Sequence, residues 1–158
     1  MKKIAITGNI GSGKSTISKI LLNEGYKVFQ CDKEISLLYL RNDLKKEIKN
    51  NFNNKINDLF FKNGKINKQS LSDYVFWSPA DLRKLEKIIY SFLEISKGIF
   101  LKENKKNKLL FFDIPLLFEK KQEDHYDAII YLVLNKKIQM KRVLKRKNIT
   151  EAKIKNIM

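Results

Sequence analysis

The chain of 158 residues is long enough for one ordinary globular domain, and its 33 Lys and Arg against 17 Asp and Glu give a formal net charge of +16. Only four of these cations are Arg, so the charge is typical of a lysine-covered surface and does not favour a nucleic-acid partner. One cysteine and one histidine exclude an intramolecular disulfide and a Cys/His zinc site, and no apolar run approaches the ~20 residues that span a bilayer. We therefore expect a cytoplasmic protein with no membrane partner.

The first forty residues predict two strands, each followed by a helix. The β-branched apolar run from Lys3 to Thr7 predicts a strand, and the spacing of apolar residues from Ser15 to Leu22 predicts a helix after a glycine-rich turn. Tyr26 to Gln30 alternates like a second strand. Asp32 then has the residue type of an N-cap for the next helix, which places its carboxylate at the carboxyl end of a strand.

The middle of the chain, about residues 41–105, predicts a helical excursion from the sheet. Asn67 to Phe76 has the pattern of a short helix, and Ser78 has the residue type of an N-cap for a long helix over about Pro79 to Glu103. The apolar stripe predicted for this long helix comprises Leu82, Leu85, Ile89, Phe92, Leu93 and Ile99.

Two further apolar runs, Leu109 to Ile114 and Ala128 to Leu134, are typical of strands buried on both faces of a parallel sheet. A lysine-rich helix is predicted from about Lys136 to Lys147. Strands that alternate with helices favour an α/β fold, a doubly wound parallel sheet with right-handed crossovers. We expect residues 1–158 to form a single domain of this kind.

A phosphate-binding loop is the strongest motif in the sequence. Gly8 to Ser15 reads Gly-Asn-Ile-Gly-Ser-Gly-Lys-Ser, which fits G-x-x-x-x-G-K-[S/T] and lies between a predicted strand and a predicted helix. Glycines at this spacing let successive backbone N–H groups turn towards phosphate oxygens at the positive end of the helix. Lys14 is then expected to contact the β- and γ-phosphates of a nucleotide, and the Ser15 hydroxyl to take a Mg²⁺ position.

Two carboxylates follow predicted strands. Asp113 ends an apolar strand and has the form of a second nucleotide motif, so we expect it to hold Mg²⁺ directly or through water. Asp32 has two interpretations that the sequence leaves open. It is either a plain helix cap or a base that orients an acceptor hydroxyl in the crevice at the carboxyl ends of the strands.

The remaining motifs favour a small-molecule kinase over a GTPase. None of the Asn-Lys pairs has an Asp two residues after its Lys, and no Asp-x-x-Gly occurs. Arg142 and Arg146 lie four residues apart on one face of the last predicted helix. They are either surface cations or a pair that clamps ATP phosphates from a lid.

With these motifs the chain resembles the dephospho-CoA kinase family, from Lys3 to about Ile157. The resemblance rests on Thr7 to Thr16, on Cys31-Asp32 in place of an Ala-Asp, and on Asp113 to Glu119, whose Pro-Leu-Leu-Phe-Glu is the most discriminating part. It implies a P-loop NTPase-type fold with a helical substrate-binding and lid excursion. It also implies that ATP, with Mg²⁺, phosphorylates the 3′-hydroxyl of dephospho-CoA to give CoA, the last step of CoA biosynthesis.

The resemblance also implies roles for individual residues. Asp32 and Lys14 would be catalytic, and the excursion would close over the CoA moiety. The ATP-binding residues would be Gly11, Ser12, Gly13, Lys14, Ser15, Thr16, Arg142 and Arg146. The substrate-binding residues would be Asp32, Pro115, Leu116 and Leu117, and the Mg²⁺ ligands would be Ser15 and Asp113.

Two departures from the family pattern affect the expectations. Tyr90-Ser91 occupies the place where the family usually has His-Pro. The family also continues past Met158 to a fifth strand and a last helix, so we expect Ala128 to Leu134 to form an exposed apolar edge that lowers stability and favours self-association. The alternatives are another small-molecule or nucleoside kinase, a remnant that binds nucleotide with little turnover, and a nucleic-acid-associated ATPase.

Overall fold

Four strands and six α-helices form the part of the chain, residues 1–144, that the computed structural model describes. The strands are β1 Lys2–Gly8, β2 Lys27–Gln30, β3 Leu109–Asp113 and β4 Ala128–Leu132. The helices are α1 Lys14–Asn23, α2 Cys31–Leu38, α3 Asn42–Phe52, α4 Lys68–Phe76, α5 Pro79–Glu103 and α6 Lys136–Leu144. A short 3₁₀ turn, Glu123–His125, precedes β4. None of the helices within residues 1–144 is long and apolar enough to cross a membrane.

The chain divides into two compact units. The first comprises Met1–Cys31 together with the described residues from Asn104 onwards, and it carries the sheet, α1 and α6. The second, Asp32–Glu103, carries α3, α4, α5 and all of α2 after its first residue. The single domain over residues 1–158, with its excursion over about residues 41–105, stays a prediction.

The sheet of the first unit is parallel throughout, in the order β2-β3-β1-β4. Ile6 of β1 pairs with Asp113 of β3 on one side and with Ile130 of β4 on the other. The connections from β1 to β2 and from β2 to β3 contain α-helices, as is usual between parallel strands, and the connection from β3 to β4 contains the 3₁₀ turn. The predicted α/β fold with a parallel sheet is confirmed.

The core of the first unit lies on the two central strands. Ala5, Ile6, Leu110 and Phe112 have no exposed surface, because these strands are paired along both edges and covered on both faces. β4 is not buried on both faces as its apolar run indicates, and within the described residues it is the exposed edge that we also expect for Ala128 to Leu134. Within the described sheet it pairs with β1 alone, so Ile130 is 38% exposed.

The second unit is built on α5, which packs against both α3 and α4. The four-residue spacing on α3 places Leu44, Ile48 and Phe52 fully in the core, as their helical period requires. α5 has the predicted bounds, but two residues of its predicted stripe, Leu82 and Ile99, are exposed. Leu82 is exposed because Asp81, the residue before it in the first turn of α5, faces inwards instead.

Asp81 is a buried carboxylate that three side chains satisfy. It accepts hydrogen bonds from Lys55 Nζ at 2.7 Å, from Tyr74 Oη at 2.8 Å and from Ser78 Oγ at 3.1 Å. The hydrogen bond from Lys55, followed by that from Tyr74, lowers the pKa of Asp81 below its ordinary value. These contacts join the start of α5 to α4 and to the turn after α3.

We expect Lys55→Met to lower the stability of the second unit at pH 7 and to flatten its loss of stability in acid. A carboxyl whose pKa is lower in the folded state stabilises fully above its unfolded value, about pH 4, and that contribution is lost as pH falls through the folded value. Without the Lys55 ammonium, the folded pKa moves back towards the unfolded one. Urea unfolding at pH 7 and at pH 3 measures both effects.

Lys46→Met on the exposed face of α3 is the matched control, since it removes the same charge without touching Asp81. We expect this control to retain the acid sensitivity of the parent chain. Identical pH dependence in the Lys55 and Lys46 variants would contradict the assignment of Asp81 to a stabilising network.

Candidate nucleotide-binding site

The loop between β1 and α1 has a backbone shape that depends on glycine. The φ values of Gly8, Gly11 and Gly13 are 148°, 79° and 103°, a backbone region that residues with a Cβ rarely adopt. The Ser12 N–H donates to the Asn9 carbonyl at 3.0 Å and closes a tight turn inside the loop. Since the N-cap of α1 is Gly13, no side chain caps this helix, and its positive end faces the loop.

Lys14 spans the loop from its last residue to its first. Its Nζ donates a hydrogen bond to the Gly8 carbonyl at 3.2 Å. The ammonium therefore lies over the loop rather than out in solvent. Ser15 and Thr16, the next two predicted ATP-binding residues, are exposed in the first turn of α1, whereas Ser12 is buried inside the loop.

The Ser12 hydroxyl is a buried polar atom inside the loop. Among the described residues its Oγ has no hydrogen-bond partner, and a Cβ on Gly8 would lie 2.9 Å from it. A buried hydroxyl without a partner costs free energy. The loop therefore contains a hydroxyl donor that no described residue uses.

Asp113 is held by a hydrogen bond from α1, the helix that follows the loop. It ends β3 beside Ile6 of β1, and its Oδ2 accepts a hydrogen bond from Ser18 Oγ at 2.7 Å. Ser18 is fully buried on α1, one helical turn after Lys14. The sequence did not identify Ser18, and its only signal was a small polar residue at an inward-facing position of an amphipathic helix.

Helix α6 packs directly against the loop. Gln139 is 5% exposed and donates from Nε2 to the Ile10 carbonyl at 2.8 Å. A Cβ on Gly11 would lie only 2.9 Å from Cγ2 of the buried Val143. At the rim, Tyr131 Oη donates to Asn9 Oδ1 at 3.1 Å.

Arg142 of α6 reaches the end of the loop. A Cβ built on Gly13 would lie 3.6 Å from Arg142 Nη1, which places the guanidinium beside the glycine that begins α1. Arg146 lies outside the described residues. Lys14 and Arg142 thus supply positive charge from two different elements to the same loop.

The segment after Asp113 turns sharply. Leu116 has a φ of 55° and is exposed, Pro115 is half-buried, and Leu117 is fully buried in the core. The Phe118 ring contacts the Tyr131 ring edge-to-face, with the centroids 5.8 Å apart. Among the predicted substrate-binding residues here, only Pro115 and Leu116 present surface to a ligand, and Leu117 fixes the turn to the core.

Asp32 is an exposed carboxylate in the first turn of α2. The helix begins at Cys31, so the N-cap position predicted for Asp32 is wrong, because the helix starts directly after β2 without an intervening residue. The preceding strand residue, Gln30, pairs in register with Asp113. Asp32 therefore follows, by two residues, the strand end that lies beside Asp113.

Comparison with known proteins places the chain in a family. A family model described as "CoaE: Dephospho-CoA kinase" matches residues 2–158. The curated dephospho-CoA kinase of Fusobacterium nucleatum is 38% identical over 146 residues, covering 92% of this chain and 74% of that protein. The dephospho-CoA kinase of Bartonella henselae is 33% identical over 155 residues, covering 97% of this chain and 77% of the relative.

Solved structures share the fold. The crystal structure of TT1252 from Thermus thermophilus is similar with a TM-score of 0.79 and 27% identity, over 99% of this chain and 78% of that one. The dephospho-CoA kinase from Campylobacter jejuni is similar with a TM-score of 0.67 and 24% identity, over 98% and 78% of the two chains. The second likeness, at this identity, shows the fold alone.

We expect Gly11→Ala to raise the Kd for ATP at least about tenfold, or ~1.4 kcal/mol. The new Cβ meets Val143 at 2.9 Å, and burial leaves that side chain no room to move, so the loop and α6 have to separate. The control is Gly25→Ala, at a similar φ of 84° but with nothing within 4 Å. Calorimetric titration with ATP gives the comparison, and equal affinities in the two variants would contradict the close packing of α6 on the loop.

Proposed function

The chain belongs to the dephospho-CoA kinase family, and on this premise we propose that it transfers the γ-phosphoryl group of ATP to the 3′-hydroxyl of dephospho-CoA, giving CoA and ADP. The observation that carries the proposal is the glycine loop with Lys14 across it and Asp113 fixed beside it through Ser18. The cytoplasmic location expected from the single cysteine stays a prediction.

We propose that the loop and α1 bind the phosphates of ATP. Backbone N–H groups around Gly11 and Gly13 supply donors, and the positive end of α1 adds a favourable field. Lys14 donates to the Gly8 carbonyl in this structure, and phosphate oxygens, being charged, are the stronger acceptors. The lysine would therefore exchange the carbonyl for the β- and γ-phosphates, with Arg142 neutralising charge beside Gly13.

The oxygen donors fit a Mg²⁺ ion held mainly by the nucleotide. Ser15 presents an exposed hydroxyl and Asp113 a carboxylate, both hard oxygen ligands. Residues 1–144 contain no group of three acidic, His or Cys side chains that would make a complete protein cage. Mg²⁺ typically takes one or two protein oxygens together with phosphates and water, and when bound it would neutralise charge developing on the β- and γ-oxygens.

We propose that Asp32 accepts the proton of the acceptor hydroxyl, the 3′-hydroxyl of dephospho-CoA. A carboxylate that follows the end of a strand and lies exposed in the first turn of a helix is reachable by substrate. Pro115 and Leu116 are proposed to contact the acceptor. The role of Asp32 is to make the ribose oxygen nucleophilic as it attacks the γ-phosphorus.

The purified chain, incubated with ATP, Mg²⁺ and dephospho-CoA, is expected to form CoA, which chromatography with mass detection quantifies. Lys14→Ala should reduce the rate at least about 100-fold, because donors aimed at charge that grows in the transition state contribute roughly 3 to 4 kcal/mol. Lys19→Ala, on the exposed side of the same helix, is the control and should keep the parent rate. Turnover above about a tenth of the parent rate in Lys14→Ala would overturn the assignment of the loop.

We expect Asp32→Asn to lower kcat by about 100-fold or more while changing the Kd for ATP by less than about twofold. Asn preserves the size of the side chain but cannot accept the hydroxyl proton. Glu34→Gln, the other acidic residue in the first turn of α2, makes the same change without the proposed role. An unchanged kcat, or a matching loss of ATP affinity, would assign Asp32 to helix stability or metal binding instead.

A further inference from the structure

Gln139 is a buried amide whose hydrogen bond is made to the phosphate-binding loop. It lies on α6, is 5% exposed, and its Nε2 is 2.8 Å from the Ile10 carbonyl oxygen. The residues are 129 positions apart in the chain. Burying a primary amide costs free energy unless it is hydrogen-bonded, so this contact fixes where both groups lie.

The bond to Ile10 also determines the direction of the next N–H group. The Ile10 carbonyl and the Gly11 N–H belong to one planar trans peptide, in which the C=O and N–H point in opposite directions. Because Gln139 holds the carbonyl towards α6, the Gly11 N–H points away from α6. The amide of Gln139 therefore also sets the direction of this backbone donor.

Packing restricts the same peptide further. A Cβ on Gly11 would lie 2.9 Å from Val143 Cγ2 and 3.4 Å from the Gln139 carbonyl oxygen, so α6 is in close contact with the backbone on that side. A glycine at φ 79° has few steric limits of its own. Without the amide of Gln139, the described packing contacts alone would restrict the rotation of the Ile10–Gly11 peptide.

We propose that Gln139 is a positioning residue for nucleotide binding, which holds the Ile10–Gly11 peptide with its N–H directed at the phosphates. The inference rests on the proposed function, since it assumes that the loop binds a nucleotide. Gln139 does not touch the reacting atoms and acts through the backbone of the loop. Its loss therefore weakens the binding of phosphate groups and leaves the chemical step intact once the site is filled.

The test compares Gln139→Met with Met140→Gln, which exchange the same two residue types at adjacent positions of α6. Met140 is 43% exposed, so its replacement changes the helix without reaching the loop. For Gln139→Met we expect the Kd for ADP to rise about tenfold, the Kd for adenosine to stay within about twofold, and kcat at saturating ATP to stay within about twofold. Met140→Gln should match the parent chain in all three.

Gln139→Glu provides a second variant if the apolar one does not fold. It keeps the shape of the side chain but places an acceptor against the Ile10 carbonyl, so it should weaken ADP binding at least as much. A merely structural role would lower Tm and weaken adenosine and ADP equally, and that result, or an unchanged Kd for ADP, would overturn the proposal. CoA formation by the parent chain tests the proposed function separately, because the comparison of ADP with adenosine requires no turnover.

Discussion

The parallel pairing of β1 with β3 and β4 is the constraint on which the rest of the site depends. Parallel strands end at the same edge of a sheet, so the loop after β1, Asp113 at the end of β3 and the segment leading from β4 into α6 all emerge together. A shift of one residue in the β1–β3 register would turn the Asp113 side chain to the other face of the sheet. The buried residues Ala5, Ile6 and Phe112 fix that register.

The glycine loop is shaped from outside as well as from within. Positive φ angles at Gly8, Gly11 and Gly13 permit the turn, but glycine also permits many other backbone conformations of the loop. Selection comes from the contacts that surround the loop: the Lys14 ammonium on the Gly8 carbonyl and the α6 side chains on Ile10 and Gly11. A nucleotide would then meet donors that are already oriented, which reduces the entropy lost on binding.

The sequence predicted those features whose causes are local. The loop motif, the strand that ends at Asp113 and the bounds of α5 depend on residues adjacent in the chain, and the structure has them at those places. Ser18 was missed and Gln139 was given no role, because their partners lie 95 and 129 positions away and a buried polar residue on a helix has no pattern of its own. The apolar run of β4, taken alone, indicates burial on both faces, whereas its place in the strand order makes it an edge of the described sheet.

The side chains that hold the site in shape are neutral, so the groups that fix its geometry are different from those that carry its charge. The hydroxyls of Ser18 and Tyr131 and the amide of Gln139 fix Asp113, Asn9 and Ile10 without adding a charge. A buried cation in their place would cost more to desolvate and would compete with Lys14 and Arg142 for the phosphates. Lys14 and Arg142 supply positive charge next to the loop, and the groups that hold the loop in shape add none. On the proposed function, the lysine-rich surface adds a general attraction for anions, whereas specificity for phosphate would come from the few oriented dipoles at this loop.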